Sequence, residues 1–286
     1  MPELPEVHTI SQDLKKNIIG YQVKSVQISR SYRLPTSVRD GLKKVIGKKI
    51  LDIDKIAKNI VIKLTENYYL ILHLAMTGRI LLRELGSKPD EWVKVVFELQ
   101  KSGKAKLLRF ADMRQFGKVF VVNKAGLQKL TEKYGLNTLD TSVTPEKFLK
   151  SIKSKKTSVK NVLMDQKLIS GIGNIYATEA LFTVGINPKL PTQKMTLEMA
   201  EKLLKAIQEI LQEAIKNRGS TLPDKMYVDI FGKSGSQQNH FKIYLKEKCT
   251  RCGGRVEFVK INGRGTYFCP TCQPLTQEVN KQGTLI

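Results

Sequence analysis

Four cysteines near the C-terminus restrict most strongly how this chain can fold. They are the only cysteines in the sequence, and they form two Cys-x2-Cys pairs separated by 16 residues. That spacing is typical of a structural zinc site in which four thiolates surround one ion. Two disulfides are the alternative, but the N-terminus carries no secretory signal, so we expect a reducing compartment. The sequence therefore predicts one structural Zn²⁺, bound by Cys249, Cys252, Cys269 and Cys272.

Zinc would stabilise a segment that is too short to build a core of its own. Four thiolates fill a tetrahedral shell and leave no position for water, so the predicted role is structural rather than catalytic. In small fingers such an ion contributes roughly 10–16 kcal/mol of apparent binding energy. The segment also carries four cations, and a rigid hairpin that presents them is suited to binding phosphate. These cations are Arg251, Arg255, Lys260 and Arg264.

The net charge favours a polyanionic partner. Lys and Arg number 49 against 26 Asp and Glu, so the formal net charge is +23 at pH 7. Such an excess favours nucleic acid, through phosphate neutralisation and counterion release. A membrane surface is the weaker alternative, because we find no basic amphipathic helix, no lipidation motif and no apolar run of ~20 residues. Charge alone leaves ribosomal RNA and tRNA open as partners. We expect a cytoplasmic protein without membrane attachment.

The N-terminal half has the pattern of one helix followed by many short strands. Apolar residues at helical spacing predict an amphipathic helix over about 6–18, ended by Gly20. A strand over 21–30 and a short helix around 37–46 follow. From 49 to 122 seven apolar or alternating runs are separated by polar and glycine-containing turns. So many short strands predict a β-sandwich or a barrel.

The pattern becomes helical beyond residue 124. Thr144 and Pro145 are typical of an N-cap and a first helical position. The segment 217–239 contains glycines and no strong periodicity, which predicts a long loop, and such loops are frequently functional. A tail from Gln273 to Ile286 follows the last cysteine and is predicted to be disordered. The predicted helices cover about 145–153, 158–168, 174–184 and 196–217.

The first three residues, Met1-Pro2-Glu3, contain a candidate nucleophile. Methionine ahead of a small residue is usually removed, which would leave the Pro2 nitrogen as a free secondary amine. An α-amino group has a reference pKa of roughly 7.7–8.0, against roughly 10.4 for lysine, so more of it is nucleophilic near neutral pH. A secondary amine that attacks a sugar C1′ gives an iminium, which is cationic as soon as it forms. Glu3 can act as a general acid or base. The alternative is an ordinary segment that leads into the helix.

Five segments, taken in order, resemble the formamidopyrimidine-DNA glycosylases. The combination extends from residue 1 to about 273 and is highly specific, although each motif alone is a modest signal. The resemblance implies an α+β fold: an N-terminal β-sandwich domain with an N-terminal helix, then a helical domain with a helix-two-turn-helix motif and a C-terminal zinc-finger β-hairpin. The segments are PELPEV at 2–7, HLAMTG at 73–78, DMRQFG at 112–117, LISGIGNIYATEALF at 168–182 and the four-cysteine finger.

The resemblance also implies a function and a division of the chain. The expected activity is base-excision repair: removal of oxidised purines, chiefly 8-oxoguanine and formamidopyrimidines, followed by β,δ-elimination of the strand. The expected partner is damaged double-stranded DNA, bound by a monomer associated with the nucleoid, and zinc is the only expected cofactor. We expect a catalytic domain at 1–130, a helix-two-turn-helix domain at 131–240, and a zinc-finger hairpin with its tail at 241–286.

Individual residues match functional positions of that family. Pro2 matches the Schiff-base nucleophile and Glu3 the proton donor. Lys58 matches the lysine that contacts phosphate and is linked to β-elimination. Arg264 matches the zinc-finger arginine that contacts phosphate and is linked to δ-elimination. The remaining matches are expected DNA contacts. Met76, Arg114 and Phe116 would fill the gap left by the flipped base, Asn174 and His73 would lie near phosphate, and Lys156 near the flipped purine.

Without the resemblance, several of these residues have ordinary interpretations. Met76 and Phe116 at strand ends are typical of core residues. Asn174 after two glycines is typical of a helix cap. His73 in an apolar strand is typical of a core histidine with satisfied hydrogen bonds. The resemblance favours the functional interpretation for the first three and leaves His73 evenly balanced.

The chain also departs from the family pattern. DMRQFG replaces the usual DPRRFG, so Met113 and Gln115 are unusual, and Trp92 stands where a DNA-contacting histidine is usual. His8 replaces a common acidic residue, and Leu245 replaces a glycine. These departures leave the lesion preference and the opposite-base preference open.

Two other functions compete with the purine-specific one. An endonuclease VIII-type relative would prefer oxidised pyrimidines, although PELPEV and the retained Arg114 and Phe116 favour the purine enzyme. A catalytically silent zinc-finger protein would bind nucleic acid with a steep salt dependence and form no covalent intermediate.

Overall fold

A computed structural model describes residues 2–275 of the chain. Within these residues the chain divides into two compact units, one formed by the residues up to Lys133 with Ala214–Gln238, and one formed by Tyr134–Glu213 with the residues from Asn239 on. Met1 and the residues from 276 on lie outside the described part, so the predicted removal of Met1 and most of the predicted disordered tail fall there. The predicted α+β fold class is confirmed, with β-sheets in the first unit and helices with a short hairpin in the second.

The first unit contains two four-stranded sheets whose hydrogen-bonded neighbours are antiparallel. Apolar side chains from both sheets form one core, among them Phe97 and Leu108 from one sheet and Ile62 and Leu72 from the other. All seven runs predicted between 49 and 122 form strands. The sheets follow the orders β1-β6-β7-β5 and β2-β3-β4-β8. The strands are β1 (Gln22–Ile28), β2 (Ile50–Ile56), β3 (Asn59–Leu64), β4 (Tyr68–His73), β5 (Gly78–Glu84), β6 (Val93–Lys101), β7 (Lys104–Asp112) and β8 (Lys118–Asn123).

The predicted N-terminal helix, α1 (Leu4–Ile18), packs on β2 and β3. It begins two residues earlier than predicted, because a capping box between Glu3 and Glu6 satisfies backbone amides at its N-terminus. Its apolar stripe is fully buried in the core. Gly20 lies just past its end with φ +81°, a left-handed conformation that glycine adopts without strain. The other helices of this unit are α2 (Thr36–Lys43) and α3 (Lys124–Thr131).

The second unit is mainly helical. Phe148 and Phe182 are buried in it, at 0% and 2% exposure. The predicted cap of its first helix is confirmed, since the Thr144 hydroxyl accepts a hydrogen bond from the Lys147 amide at 3.4 Å. Two short strands, β9 (Leu136–Asn137) and β10 (Ile169–Ser170), pair in parallel within it. The helices are α4 (Pro145–Lys153), α5 (Val159–Met164), α6 (Asn174–Thr183) and α7 (Leu197–Lys216).

The cysteine segment forms the predicted hairpin, with β11 (Glu257–Ile261) paired to β12 (Arg264–Phe268). Asn262 and Gly263 connect the strands, with φ of +47° and +73°. Two left-handed residues of the Asn-Gly type make the tight turn that suits the twist of a hairpin. The turn places Arg264 as the first residue of the returning strand.

The predicted disorder of the tail is wrong for its first residue. Gln273 is 1% exposed, and its side chain accepts a hydrogen bond from the Cys269 amide and donates one to the Ile186 carbonyl. Its own carbonyl accepts a bond from the Asn187 side chain at 2.6 Å. These bonds anchor the chain directly behind the last cysteine.

Candidate functional site

The four cysteine sulfurs converge as a zinc site requires. All four lie within 4.8 Å of one another. The Cys249 and Cys272 sulfurs are 3.8 Å apart, and those of Cys252 and Cys269 are 3.6 Å apart. A tetrahedral ion with Zn–S bonds of about 2.3 Å requires edges of about 3.8 Å, whereas a disulfide requires about 2.05 Å. The predicted site for one structural zinc ion is therefore confirmed, and the disulfide alternative is wrong.

Backbone amides support the sulfurs. The Arg251 amide donates to the Cys249 sulfur, and the Cys272 amide donates to the Cys269 sulfur, each at 3.4 Å. Hydrogen bonds from amides stabilise thiolates, which are the form that binds zinc. Gly253 has φ +74°, which lets the chain turn tightly behind the first pair.

At the start of α1, the residues that follow Met1 are buried. Pro2 and Glu3 are both buried, Glu3 at 1% exposure. The Glu3 amide donates to one carboxylate oxygen of Glu6 at 2.8 Å, and the Ser220 amide donates to the other at 2.7 Å. Glu6 therefore fixes the backbone beside the candidate nucleophile. Glu6 had no predicted role, because the capping-box pattern usually begins with Ser, Thr, Asp or Asn and the N-cap here is Glu3.

Lys58 and His73 lie close together on the second sheet of the first unit. Lys58 is in the turn between β2 and β3, after Ala57 at φ +52°, and is 7% exposed. His73 at the end of β4 pairs with Asn59 and donates a ring hydrogen bond to the Lys58 carbonyl. Its Nδ1 atom is buried and has no hydrogen-bond partner among residues 2–275. The protein thus supplies one of the two hydrogen bonds that the His73 ring can make.

The stability of the fold should depend on His73 in mildly acidic solution. Burial and the nearby Lys58 and Lys118 charges lower the pKa of His73, although its hydrogen bond to Lys58 opposes them. The unfolded chain, with a pKa of about 6.5, then binds the proton more readily, so this contribution is present above about pH 6.5 and is lost below it. We expect a His73→Gln variant to show a flatter fall of Tm between about pH 8 and pH 5, measured by calorimetry. His240→Gln, at an exposed histidine, is the control. Parallel curves for His73→Gln and the wild type would contradict the expectation.

Three residues predicted to fill the gap in DNA lie on two adjoining loops. Thr77 follows Met76, and its hydroxyl bonds the Asp112 carboxylate at 2.5 Å. Asp112 also accepts the amides of Arg114, at 3.2 Å, and Gly117, at 2.7 Å. The two loops between β4 and β5 and between β7 and β8 are thus joined through one buried carboxylate.

The side chains of these loops point away from the core. Met76 is 36% exposed and Phe116 is 54% exposed, so the interpretation of both as core residues is wrong. The Arg114 guanidinium stacks over the Phe116 ring at 4.8 Å. Gln115, one of the departures from the family pattern, has φ +57° between them. An exposed cation on an aromatic ring beside an exposed methionine is chemically suited to contact nucleobases.

In the second unit the finger hairpin is attached to the helices. The Asn174 amide nitrogen donates to the Gly265 carbonyl at 2.9 Å, and the fully buried Lys160 amine donates to the Thr266 hydroxyl at 2.7 Å. Asn174 is the first residue of α6, whose N-cap is Gly173 with no side-chain cap bond. The helix-cap interpretation of Asn174 is therefore wrong. Sequence analysis missed Lys160, because nothing in the pattern distinguishes a buried lysine from the many exposed ones.

Lys156 and Arg264 line one cleft of about 660 Å³ in this unit. Lys155, Thr157 and Asn161 also line it. Both Lys156 and Arg264 are exposed. The hydrogen bond from Asn174 to Gly265 places the start of α6 next to the strand that carries Arg264. The structure thus brings Lys156 and Arg264 to one cleft, which Asp165 also lines in an ion pair with Lys155, and it joins Asn174 to the strand that carries Arg264.

Three protein-family models match the chain. The formamidopyrimidine-DNA glycosylase N-terminal domain matches residues 1–119, the formamidopyrimidine-DNA glycosylase H2TH domain matches 134–225, and a zinc finger found in FPG and IleRS matches 246–275. Residues 2–275 contain no helix with the length and apolar character needed to cross a bilayer.

Whole-chain relatives and solved structures agree. Formamidopyrimidine-DNA glycosylases of Pelotomaculum thermopropionicum and Carboxydothermus hydrogenoformans are each 36% identical, with 96% of this chain and 99% and 100% of theirs covered. A complex of the Lactococcus lactis protein with abasic-site DNA is similar at a TM-score of 0.85 and 31% identity, covering 95% of this chain and 99% of that one. Its complex with N7-benzyl-Fapy-dG DNA has a TM-score of 0.84 and 31% identity, covering 96% of this chain and 100% of that one. The resemblance inferred from the motifs is confirmed, and this chain belongs to the formamidopyrimidine-DNA glycosylase family.

Proposed function

We propose that this chain excises oxidised purines from double-stranded DNA and then cleaves the strand, using the Pro2 nitrogen as nucleophile. One observation carries the assignment to particular atoms: Pro2 and Glu3 are buried at the start of α1, and Glu6 binds the Glu3 amide. Family membership makes 8-oxoguanine and formamidopyrimidines the expected substrates. No redox partner is required, and zinc contributes by folding the finger.

The target atom of a damaged nucleotide lies inside a stacked duplex, so the nucleotide must first be flipped out, at a cost of a few kcal/mol. Met76 and Phe116, exposed on their two joined loops, offset this cost by filling the gap. Arg114 can donate two parallel hydrogen bonds to the unpaired cytosine. The contact with the Phe116 ring, 4.8 Å from its centroid, restricts where the guanidinium can lie.

In the chemical step the Pro2 nitrogen bonds to C1′ and the bond from C1′ to the base breaks. Glu3 donates a proton to the departing base, and the proton that the Pro2 nitrogen loses moves to the ring oxygen as the bond from C1′ to that oxygen breaks and the sugar opens. The resulting iminium withdraws electrons and acidifies the C2′ proton. Loss of that proton expels the 3′ phosphate, and a second elimination expels the 5′ phosphate.

Four of the remaining site residues bind phosphate, Lys58 and His73 from the first unit and Asn174 and Arg264 from the second. Lys156 would lie near the flipped purine. The Asn174 amide nitrogen uses one hydrogen for Gly265 and retains a second, which can be donated to phosphate. The Arg264 fork can bind two phosphate oxygens.

We also propose three functional domains. Residues 1–130 form the catalytic domain, residues 131–240 form the helix-two-turn-helix DNA-binding domain, and residues 241–286 form the zinc-finger hairpin with its tail. The net charge of +23 favours binding to chromosomal DNA. We propose that the protein is cytoplasmic, associates with the nucleoid and acts as a monomer.

Borohydride trapping tests the proposal. A duplex with 8-oxoguanine opposite cytosine and a duplex with dihydrouracil are incubated with protein whose Met1 removal and zinc content have been verified. We expect a covalent adduct that maps to Pro2 and forms faster on 8-oxoguanine. Faster trapping on dihydrouracil would support the endonuclease VIII-type function. Binding without any adduct would leave a catalytically silent DNA-binding protein.

A further inference from the structure

An ion-pair cluster in the first unit joins α1 to the long loop predicted over 217–239. The Arg218 guanidinium lies between Asp13 of α1 and Asp229 of the loop, with 2.7 Å to the Asp229 carboxylate and a two-pronged contact to Asp13. The side chains of Asp13 and Asp229 are only 11% and 4% exposed, and that of Arg218 is 44% exposed. The bridge thus connects two shielded carboxylates that are far apart in the sequence.

The backbone of Arg218 is also constrained. Arg218 has φ +60°, a left-handed conformation that few residues other than glycine adopt. Its carbonyl accepts a hydrogen bond from the Tyr227 hydroxyl at 2.8 Å. Such conformations persist only where surrounding contacts determine them. The ion pairs and the tyrosine bond are those contacts.

Hydrogen bonds within the loop join its two ends, so the loop moves as one piece. The Thr221 hydroxyl donates to the Tyr227 carbonyl and accepts from the Gly235 amide, both at 2.9 Å. Asp229 accepts the amides of Phe231 and Lys233 at 2.9 Å each. Because Asp229 binds both the loop backbone and Arg218, the position of the loop depends on the ion pair between Asp229 and Arg218.

The first residues of the loop contact the N-terminal turn of α1. Ser220, two residues after Arg218, donates its amide to Glu6, whose other oxygen holds the Glu3 amide. A side chain at Gly219 would lie 2.7 Å from the Glu6 carboxylate, so the loop approaches Glu6 as closely as backbone allows. A shift of the loop therefore displaces Glu6, and with it Glu3.

We propose that Arg218 is a positioning residue for base excision: by bridging Asp13 and Asp229 it holds the loop so that Ser220 and Glu6 orient Glu3. This inference rests on the proposed function, since it assigns Glu3 to the proton transfer that releases the base. Expulsion of a base from C1′ requires that proton. A preformed abasic site has no base to expel, and its aldehyde condenses with the Pro2 amine, so cleavage there should depend much less on the orientation of Glu3.

The test separates the two activities in single-turnover experiments. For Arg218→Gln and Asp13→Asn we expect excision of 8-oxoguanine to slow by about tenfold or more, since small misplacements of reacting groups have effects of that size. Cleavage of preformed abasic DNA should stay within about twofold. Arg218→Lys keeps the charge but cannot bridge both carboxylates in a fork, so we expect an intermediate rate. The double variant should be no slower than Arg218→Gln alone, because Arg218→Gln already removes the ion pair that Asp13→Asn breaks.

A matched control exists on the same helix. Lys15 is two residues from Asp13 and forms an exposed ion pair with Asp52 at 2.7 Å. Lys15→Gln should leave both rates unchanged, because exposed pairs contribute little and this pair does not touch the loop.

Tryptophan fluorescence reports the loop independently of activity. Trp92 is the only tryptophan of the chain, and the Arg79 guanidinium stacks on its ring at 5.5 Å. Arg79 also donates to the carbonyls of Lys225, at 2.7 Å, and Met226, at 3.2 Å, which belong to the loop. Displacement of the loop in folded Arg218→Gln should therefore change the Trp92 emission spectrum, whereas Lys15→Gln should keep the wild-type spectrum.

Equal losses of excision and abasic cleavage, or no loss of either, would overturn the positioning role. A wild-type spectrum in Arg218→Gln would overturn the anchoring of the loop. If Arg218→Gln fails to fold, shown by its melting curve, the same comparisons apply to Arg218→Lys and Asp13→Asn. Absence of excision and trapping by the wild type would instead refute the proposed function, and the Trp92 spectra would still decide the anchoring.

Discussion

A Pro2→Gly variant is expected to lose excision of 8-oxoguanine while it keeps DNA affinity within a few-fold. Glycine provides a primary amine, and its attack on C1′ gives an imine that must gain a proton before it can withdraw electrons. Proton transfer by a positioned group contributes about 10²–10⁴-fold in enzymes, so we expect a loss of about a hundredfold or more. Single-turnover excision and the yield of borohydride adduct would measure this loss.

Binding should persist because Pro2 carries none of the expected phosphate contacts. The dissociation constant for a duplex with an uncleavable abasic analogue would verify it at a fixed salt concentration. The matched control is Pro5→Ala, which changes a proline of the same helix entry but leaves the terminal amine intact. Wild-type excision by Pro2→Gly would show that another group is the nucleophile.

A Cys272→Ser variant is expected to lose its zinc and most of its specific DNA affinity. Four thiolates hold the hairpin that presents Arg264, and structural zinc contributes roughly 10–16 kcal/mol in small fingers. Without the ion the hairpin of β11 and β12 has too small a core to stay folded. Zinc per chain, measured by elemental analysis, should fall well below one.

The salt dependence of binding gives the sharper measurement. Each lost phosphate contact should reduce the slope of log K against log salt by about 0.9. Thr271→Ser, an exposed neighbour in the same cysteine turn that is not one of the four sulfur ligands, is the control and should keep both zinc and slope. Full zinc content or an unchanged slope in Cys272→Ser would contradict the structural role of the ion.

Local patterns predicted much of the secondary structure. The helical spacing from Val7 to Ile18 and the seven alternating runs report which side chains face a core, and burial preserves that periodicity in the structure. Helix ends were predicted less well. Helix α1 begins at Leu4 because Glu3 and Glu6 exchange hydrogen bonds, a detail that apolar periodicity does not contain.

The pattern of apolar residues along the chain did not predict that these site residues are exposed. Met76 and Phe116 follow or precede strands and would be buried if those strands continued. They are exposed because Asp112 binds the two loops together and turns their side chains outward. The carboxylate is thirty-five residues from its partner Thr77, so no local rule identifies the pair.

The sequence by itself determined what depends on neighbours along the chain: the helix and strand periods, the cysteine spacing of the zinc site, and the ordered motifs of the family. Only the tertiary structure decided what depends on residues distant in the chain. Glu6 meets Ser220 across 214 residues and Asp13 meets Arg218 across 205. Such contacts form only when the whole core brings their segments together, because each hydrogen bond or ion pair alone is too weak to define the fold.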